Sequence, residues 1–435
     1  MMIRIALFLL ALATPLRAEI AIQEVTSPGG IKAWLVEDHN IPFMALELRF
    51  RGGTSLDQPG KRGAINLMSA TLEEGAGEMD AQGFATARDS LAAKIGFGAS
   101  ADELSVSVQT LTENRAAAMD LLRLALTAPR FDTDAVDRVK GQVLAGLRAE
   151  EQDPSAIAAK LARARAYGDH PYGSAGDGTI DSVTALTRDD VVAAWKGTMA
   201  RDRLYVAAAG DITAEELGTL LDAILVDVPA TGWPLPPKAR LNETGGTVVQ
   251  PFPGPQSVVL FGHGGIGFDD PDFFAASLLN DILGGGRFSA RLMQEVREKR
   301  GLTYGIGTGL ASRDLSAEWV GQFQASNDKV AEAISVVQAE WARMAADGPT
   351  EEELTTAKTY MTGAYPLRFE GNGAIANILV GMQMLGLPSD YPKTRNDKVN
   401  AVTMEDIRRV AARLLRPENL SFIVVGEPVG VTATE

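Results

Sequence analysis

The sequence predicts an α+β protein of two similar domains, produced by internal duplication and joined by a proline-rich linker. Three observations carry this expectation. "TRDDVVAAWKGTMARDRLYVAAAGD" from Thr187 aligns without a gap on "TMEDIRRVAARLLRPENLSFIVVGE" from Thr403, a shift of 216 residues that pairs Asp190 with Asp406 and Gly210 with Gly426. Further matched stretches occur in the same order in both halves. Between them, "DVPATGWPLPPKARLNETGG" at residues 227–246 is dense in proline and glycine, a composition that makes a semi-rigid spacer.

In chain order, "MMIRIALFLLALATPLRA" has a basic start at Arg4, an apolar run from Ile5 to Ala13 and a small residue, Ala18, at its end. Residues 1–18 therefore read as a signal peptide, which implies a periplasmic or secreted protein. No later stretch is apolar enough to span a bilayer. In the first domain, 19–226, "MALELRFRGG" from Met44 reads as a strand running into glycines. A helix over 62–75 follows, then "FATARDSLAAKIG" from Phe84 and the long amphipathic "TDAVDRVKGQV". A Thr187-capped helix, a turn and a buried strand ending at Gly210 complete it.

The second domain, 247–435, repeats that succession. "SVVLFGHGGIG" is the strand into glycines and "FAASLLNDILGGG" the helix. "FSARLMQEVREKRG" matches the Phe84 stretch, and "EEELTTAKTYM" is the second amphipathic helix.

Composition removes several function classes. The 435 residues are 46% hydrophobic and 22% charged, as in ordinary globular proteins. The formal charge is −15, and loss of Arg4 and Arg17 with the leader makes it more negative, so a nucleic-acid partner is disfavoured. The chain has no cysteine, hence no disulfide, no thiolate nucleophile and no sulfur-bound metal.

The helix over 62–75, "RGAINLMSATLEEG", places Ile65, Met68 and Leu72 on one face. Asn66, Ser69, Ala70 and Glu73 lie on the other, at the spacing with which a helix holds two metal ligands and a catalytic carboxylate. Asparagine, serine and alanine cannot fill those roles at zinc. The three histidines, His39, His170 and His263, share no helical ligand spacing and read as loop, turn and strand-end residues. One alternative remains: Glu73 and Glu74 joining Glu150 or Glu151 at a replacement metal. Gly284–Gly286 and "GIGTG" at 305–309 lack the context of a nucleotide loop and read as turns or as a peptide-docking loop.

"GGTSLDQPGKRGAINLM", "HPYG", "LTRDD", "DRLYVAAAGD" and "GGGRFSARLMQEVREKRGLTYGIGTG", in this order, resemble the pitrilysin/insulinase-type zinc metallopeptidases in their short, two-domain, dimeric form. The resemblance implies two α/β-sandwich domains and a peptide chamber closed across a dimer. It also implies an inverted His-x-x-Glu-His zinc motif with a distant glutamate as third ligand. Those positions fall here on Asn66, Ala70 and Gly146, with the general base at Ser69, so the site is degenerate and no metal is expected in this chain. Zinc is expected in a homologous catalytic partner. The resemblance further implies that Arg297 holds substrate backbone and Tyr304 donates to the developing oxyanion, here in trans. A surface helix arginine followed by a half-buried strand tyrosine is the bland alternative for that pair.

The function expected is therefore a non-catalytic, peptide-binding subunit of a heterodimeric periplasmic zinc peptidase. A purely structural or peptide-binding subunit with no part in proteolysis is the alternative. An independent hydrolase would need a nucleophile–base pair that the sequence does not show.

Overall fold

The succession of strands and helices is realised as two large sheets, each closing its own apolar core, beside a short two-stranded pairing of Gly75–Ala76 with Met79–Asp80. The computed structural model describes residues 21–242 and 244–434; the leader at 1–18 lies outside the described residues. In the first half, β1 (Gln23–Thr26), β2 (Lys32–Glu37), β3 (Phe43–Arg51), β4 (Lys94–Ala99), β5 (Glu103–Leu111) and β6 (Leu204–Gly210) form a sheet in the order β1-β2-β6-β3-β5-β4. In the second, β7 (Gly246–Pro251), β8 (Gln256–Gly264), β9 (Ile306–Ser312), β10 (Ala317–Ser326) and β11 (Ser421–Gly426) take the order β7-β11-β8-β10-β9.

Without β1 the two orders are the same, the last strand of each half slotting between the first two. The pairing sense matches as well. β6 runs parallel to β2 and β11 parallel to β7, while the remaining pairs are antiparallel. A strand flanked on both sides and covered on both faces must be apolar throughout. That is why "VAAA" in β6 and "FIVV" in β11 are unbroken buried runs.

The helices that matter for the site are α1 (Ala64–Thr71), α2 (Thr133–Glu150), α3 (Pro154–Tyr167), α4 (Arg188–Thr198), α5 (Phe273–Gly284), α6 (Val330–Asp347), α7 (Glu351–Ala364), α8 (Asn372–Met384) and α9 (Met404–Leu414). The aligned blocks fold alike. Thr187 and Thr403 each accept from the backbone N–H three residues on, at Asp190 (3.3 Å) and Asp406 (3.1 Å), and the carboxylates bond back to the threonine backbones. One 3-10 turn follows each helix, and each strand ends at a positive-φ glycine, Gly210 (+119°) or Gly426 (+154°).

Alternation along the strands sorts their two faces. Met44, Leu46, Leu48 and Phe50 of β3 enter the first core with Ile65, Leu67 and Met68 of α1. Val259 and Phe261 of β8 enter the second with Trp341 of α6.

The opposite faces are covered crosswise. α3, from the first half, lays Ala158 and Leu161 against Val258, Ile423 and Val425 of the second sheet. α8, from the second half, lays Ala376, Leu379 and Val380 against Ala45, Ala207 and Ala209 of the first. Packing therefore crosses the boundary that the sequence suggests at 227–246. Residues 228–242 form neither helix nor strand but are tied to both halves. Trp233 N donates to Gly197 O (2.7 Å), and Ala239 N donates to Leu315 O (2.8 Å). Among the described residues no helix is long and apolar enough to cross a membrane.

Candidate functional site

The approach to α1 is fixed by a buried carboxylate. Asp57 accepts from Gly63 N (2.8 Å) and Ile65 N (2.9 Å), capping a helix whose N-cap, Gly63, sits at φ +95° where side chains are strained. Burial raises the Asp57 carboxyl to about 6 against the opposing pull of those amides and of Arg62. Arg62 spreads its guanidinium over the carbonyls of Thr54, Pro171 and Ser174, so the "HPYG" turn is bolted to the start of α1.

Ile65 and Met68 of α1, and Leu72 at its C-cap, are buried, as their spacing requires. Of the positions the resemblance points to on this helix, Asn66 is half-buried, Ser69 buried and Ala70 exposed. α2 packs against α1 and carries Gly146, exposed, with nothing within 4 Å of where its Cβ would stand. The four side chains offer one amide and one hydroxyl, and catalytic zinc needs about three imidazole, carboxylate or thiolate ligands. The residues do not fit zinc.

The replacement site does not form either, because the nearby carboxylates are engaged. Glu73 is 2.5 Å from Arg88, and Glu74 receives both terminal nitrogens of Arg138. Glu150 and Glu151 are exposed. Among the described residues no group of three His, Asp or Glu side chains could hold a metal ion.

Arg297 and Tyr304 flank a wide turn. Arg297 lies in the π-helical stretch Met293–Glu298, its guanidinium 4.7 Å from the centre of the Phe288 ring and 3.5 Å from Glu298. The chain turns at Gly301 (φ +60°), and Thr303 is pinned inward by donating to Gln324 O (2.6 Å). Tyr304 is thereby turned outward, 87% exposed, and makes no hydrogen bond among the described residues. It precedes β9 rather than lying in it, so the half-buried strand tyrosine of the bland alternative is not what the fold contains. Among the described residues neither one hydrogen-bonds or ion-pairs with a first-half residue.

The histidines are structural. His39 Nδ1 is 2.7 Å from Asp211 and Nε2 is 3.5 Å from Glu37; the bond to Asp211 is the main reason its pKa is raised. His170 caps the Pro171–Gly173 turn, with Tyr172 N donating to Nδ1 (3.1 Å). His263 is buried in β8, where Trp341 Nε1 donates to its Nε2 (2.9 Å). Gly284 and Gly285 let the chain pass close to Thr308 and Asp281. Beside them, Leu260, Gly307, Gly309 and Val320 line a cavity of about 590 Å³ on the part of the second sheet that α3 leaves open.

Two features escaped the sequence reading. One is the Asp57–Arg62 clamp; the other is a second cavity that Arg163 enters from α3. The i, i+3, i+7 spacing of Ala156, Ala159 and Arg163 is the signal that could have found it.

Residues 185–361 match the family described as Peptidase M16 inactive domain. The chain is 25% identical over 390 residues to the non-peptidase homolog YmxG of Helicobacter pylori, covering 89% of this chain and 90% of the relative. It is likewise 25% identical over 413 residues to an uncharacterized zinc protease of Streptomyces coelicolor, covering 92% and 89%. A crystal structure of a peptidase M16 inactive domain from Pseudomonas fluorescens superposes with a TM-score of 0.88 at 28% identity, covering 95% of this chain and all of that one.

Proposed function

Because this chain is a relative of the pitrilysin/insulinase-type (M16) peptidases and resembles their non-catalytic members, we propose that it serves as the substrate-binding subunit of a heterodimeric zinc peptidase. The partner is a homologous subunit that carries the zinc and the His-x-x-Glu-His helix. The setting is the periplasm, reached through the leader at 1–18. In this reading the two halves, 19–226 and 247–435, are copies of one unit, which the shared strand order and matched caps support.

The observation that carries the proposal is a contrast within the chain. The metal-site positions hold no ligand chemistry, yet Tyr304 is held outward by its neighbours with its hydroxyl uncommitted. An exposed, unbonded phenol on a fixed turn suits a donor that works on a group from elsewhere. Aimed at the tetrahedral intermediate formed by the partner, it would stabilise the transition state more than the ground state. Arg297 would hold the substrate backbone. The helix α1 is then retained scaffold.

In a reconstituted heterodimer, Tyr304→Phe should lower kcat roughly a hundredfold, the usual effect of losing one oxyanion donor, with assembly intact by gel filtration. Arg297→Ala should raise KM as well. Wild-type rates from both variants would instead favour a structural subunit, a reading supported by the name of the Helicobacter relative.

A further inference from the structure

At the junction of the two halves lies a cavity of about 350 Å³ into which three arginines converge: Arg62 before α1, Arg163 on α3 and Arg313 after β9. The three are not equivalent. Arg62 is committed to Asp57 and to three carbonyls. Arg313 lies 3.7 Å from Glu318, with its guanidinium 5.5 Å from the centre of the Tyr172 ring. Arg163 makes no ion pair and no hydrogen bond among the described residues, and its Nε is buried with no partner.

That arrangement opposes its own charge. Burial, and then the neighbouring Arg313, hold the Arg163 guanidinium below the usual arginine range. Glu150 and Asp177 act favourably on it, but only from beyond ion-pair distance. Arg313, paired at 3.7 Å with Glu318 and set against the Tyr172 ring, offers a second set of donors on the same cavity. A half-buried guanidinium without a partner costs stability, and an arriving oxyanion would recover it.

We propose that this cavity is a carboxylate-binding site, with Arg163 as its principal anchor and Arg313 completing it from the other half. Charge balance selects the ligand. The lining holds three arginines and the carboxylates of Glu150 and Asp177, one net positive charge, which suits a monoanionic carboxylate better than a dianionic phosphate. The volume exceeds what a bare ion needs and admits an acidic side chain or a chain terminus. The site must act at short range, since the chain's charge of −15 repels anions from a distance. That the carboxylate belongs to a peptide rests on the function proposed above; that the cavity binds a carboxylate does not.

The test uses the full mature chain without any partner, so its outcome is independent of proteolysis. Calorimetric titrations would use acetyl-Ala-Ala-Glu-Ala-Ala-amide, its Gln counterpart, acetyl-tetra-alanine with a free C-terminus, sodium butyrate and inorganic phosphate. Binding of butyrate and of either carboxylate peptide is expected, at least tenfold tighter than the Gln peptide and lost in Arg163→Gln. The Glu peptide and the free C-terminus tell side-chain from terminal recognition. Butyrate binding with neither peptide bound would uphold the cavity and remove only its peptide ligand. Because Arg163 lacks a partner, Arg163→Gln should leave the Tm of the free chain unchanged or raise it. Phosphate binding as tightly as butyrate, no carboxylate binding at all, or a lower Tm in Arg163→Gln would overturn the proposal.

Discussion

The two sheets share a strand order and differ in what their outer faces carry. On the first, β3 turns Glu47 and Arg49 into a buried network beneath α8. Arg49 donates to Glu47 (2.7 Å) and Asn377 (2.6 Å) and lies 3.2 Å from Glu103, while Ser107 donates to Glu47 (2.6 Å). On the second, the matching strand β8 presents Leu260 and Gly262 at an open apolar cavity. The core faces are aliphatic and aromatic in both. Backbone order is thus specified by the core-facing residues and the caps, and the outer faces are free to differ. One became a polar lock between halves and the other an accessible surface.

The largest expected effect comes from breaking the lock. Arg49→Met leaves Glu47 buried without its cation and should destabilise the protein by about 4 kcal/mol in urea denaturation. Leu260→Met on the second sheet changes little volume and should cost under about 1.5 kcal/mol. Equal losses would mean that the faces are energetically alike.

The carboxylates ahead of α1 and α5 sharpen the comparison through pH. Asp57 is buried and raised to about 6, whereas hydrogen bonding to Arg409 is the main reason Asp272 is lowered. A folded pKa above the unfolded one favours the folded state at low pH, and that advantage fades as pH rises from about 4 to about 6. For Asp57 the change is on the order of 3 kcal/mol. Asp272 contributes in the opposite sense: its stabilisation is present above the unfolded pKa and is lost as pH falls below it. Subtracting the Asp57→Asn stability profile from wild type between pH 4 and 7 should isolate the first trend. A flat difference would contradict it.

The smallest effect compares the exchanged helices. Leu379→Ala in α8 removes a fully buried side chain and should cost about 2.5 kcal/mol. Leu161→Ala in α3 removes a half-buried one and should cost about 1 kcal/mol. Thermal melts of both variants would reverse the ranking if α3 were the more important cover.

Much of this fold is legible in the chain because caps and strand runs are local signals. Thr187 and Thr403 announce helix starts through residues three positions away, and the glycines at 210 and 426 announce strand ends. The helix exchange was not legible. "AIANILVGMQM" in α8 is apolar enough to cover a sheet, but nothing local says which sheet it covers. The burial of Glu47 and Arg49 also escaped, since "LELRF" alternates as a half-exposed strand would. That the side chains of Asn66, Ser69, Ala70 and Gly146 offer no zinc-ligand set is legible from residue identity alone. The outward setting of Tyr304 could not, because it depends on Thr303 reaching a carbonyl in another strand.

The exchange of α3 and α8 has a consequence for how the chain is made. Synthesis runs from the N-terminus, so the first sheet emerges long before α8 exists. Until residues 372–384 leave the ribosome, Ala45, Ala207 and Ala209 face water, and the Arg49 network lacks Asn377. α3 likewise waits for β8 and β11 before its apolar side has anywhere to go. Both halves are sticky intermediates until the final quarter of the chain arrives, and neither can mature alone.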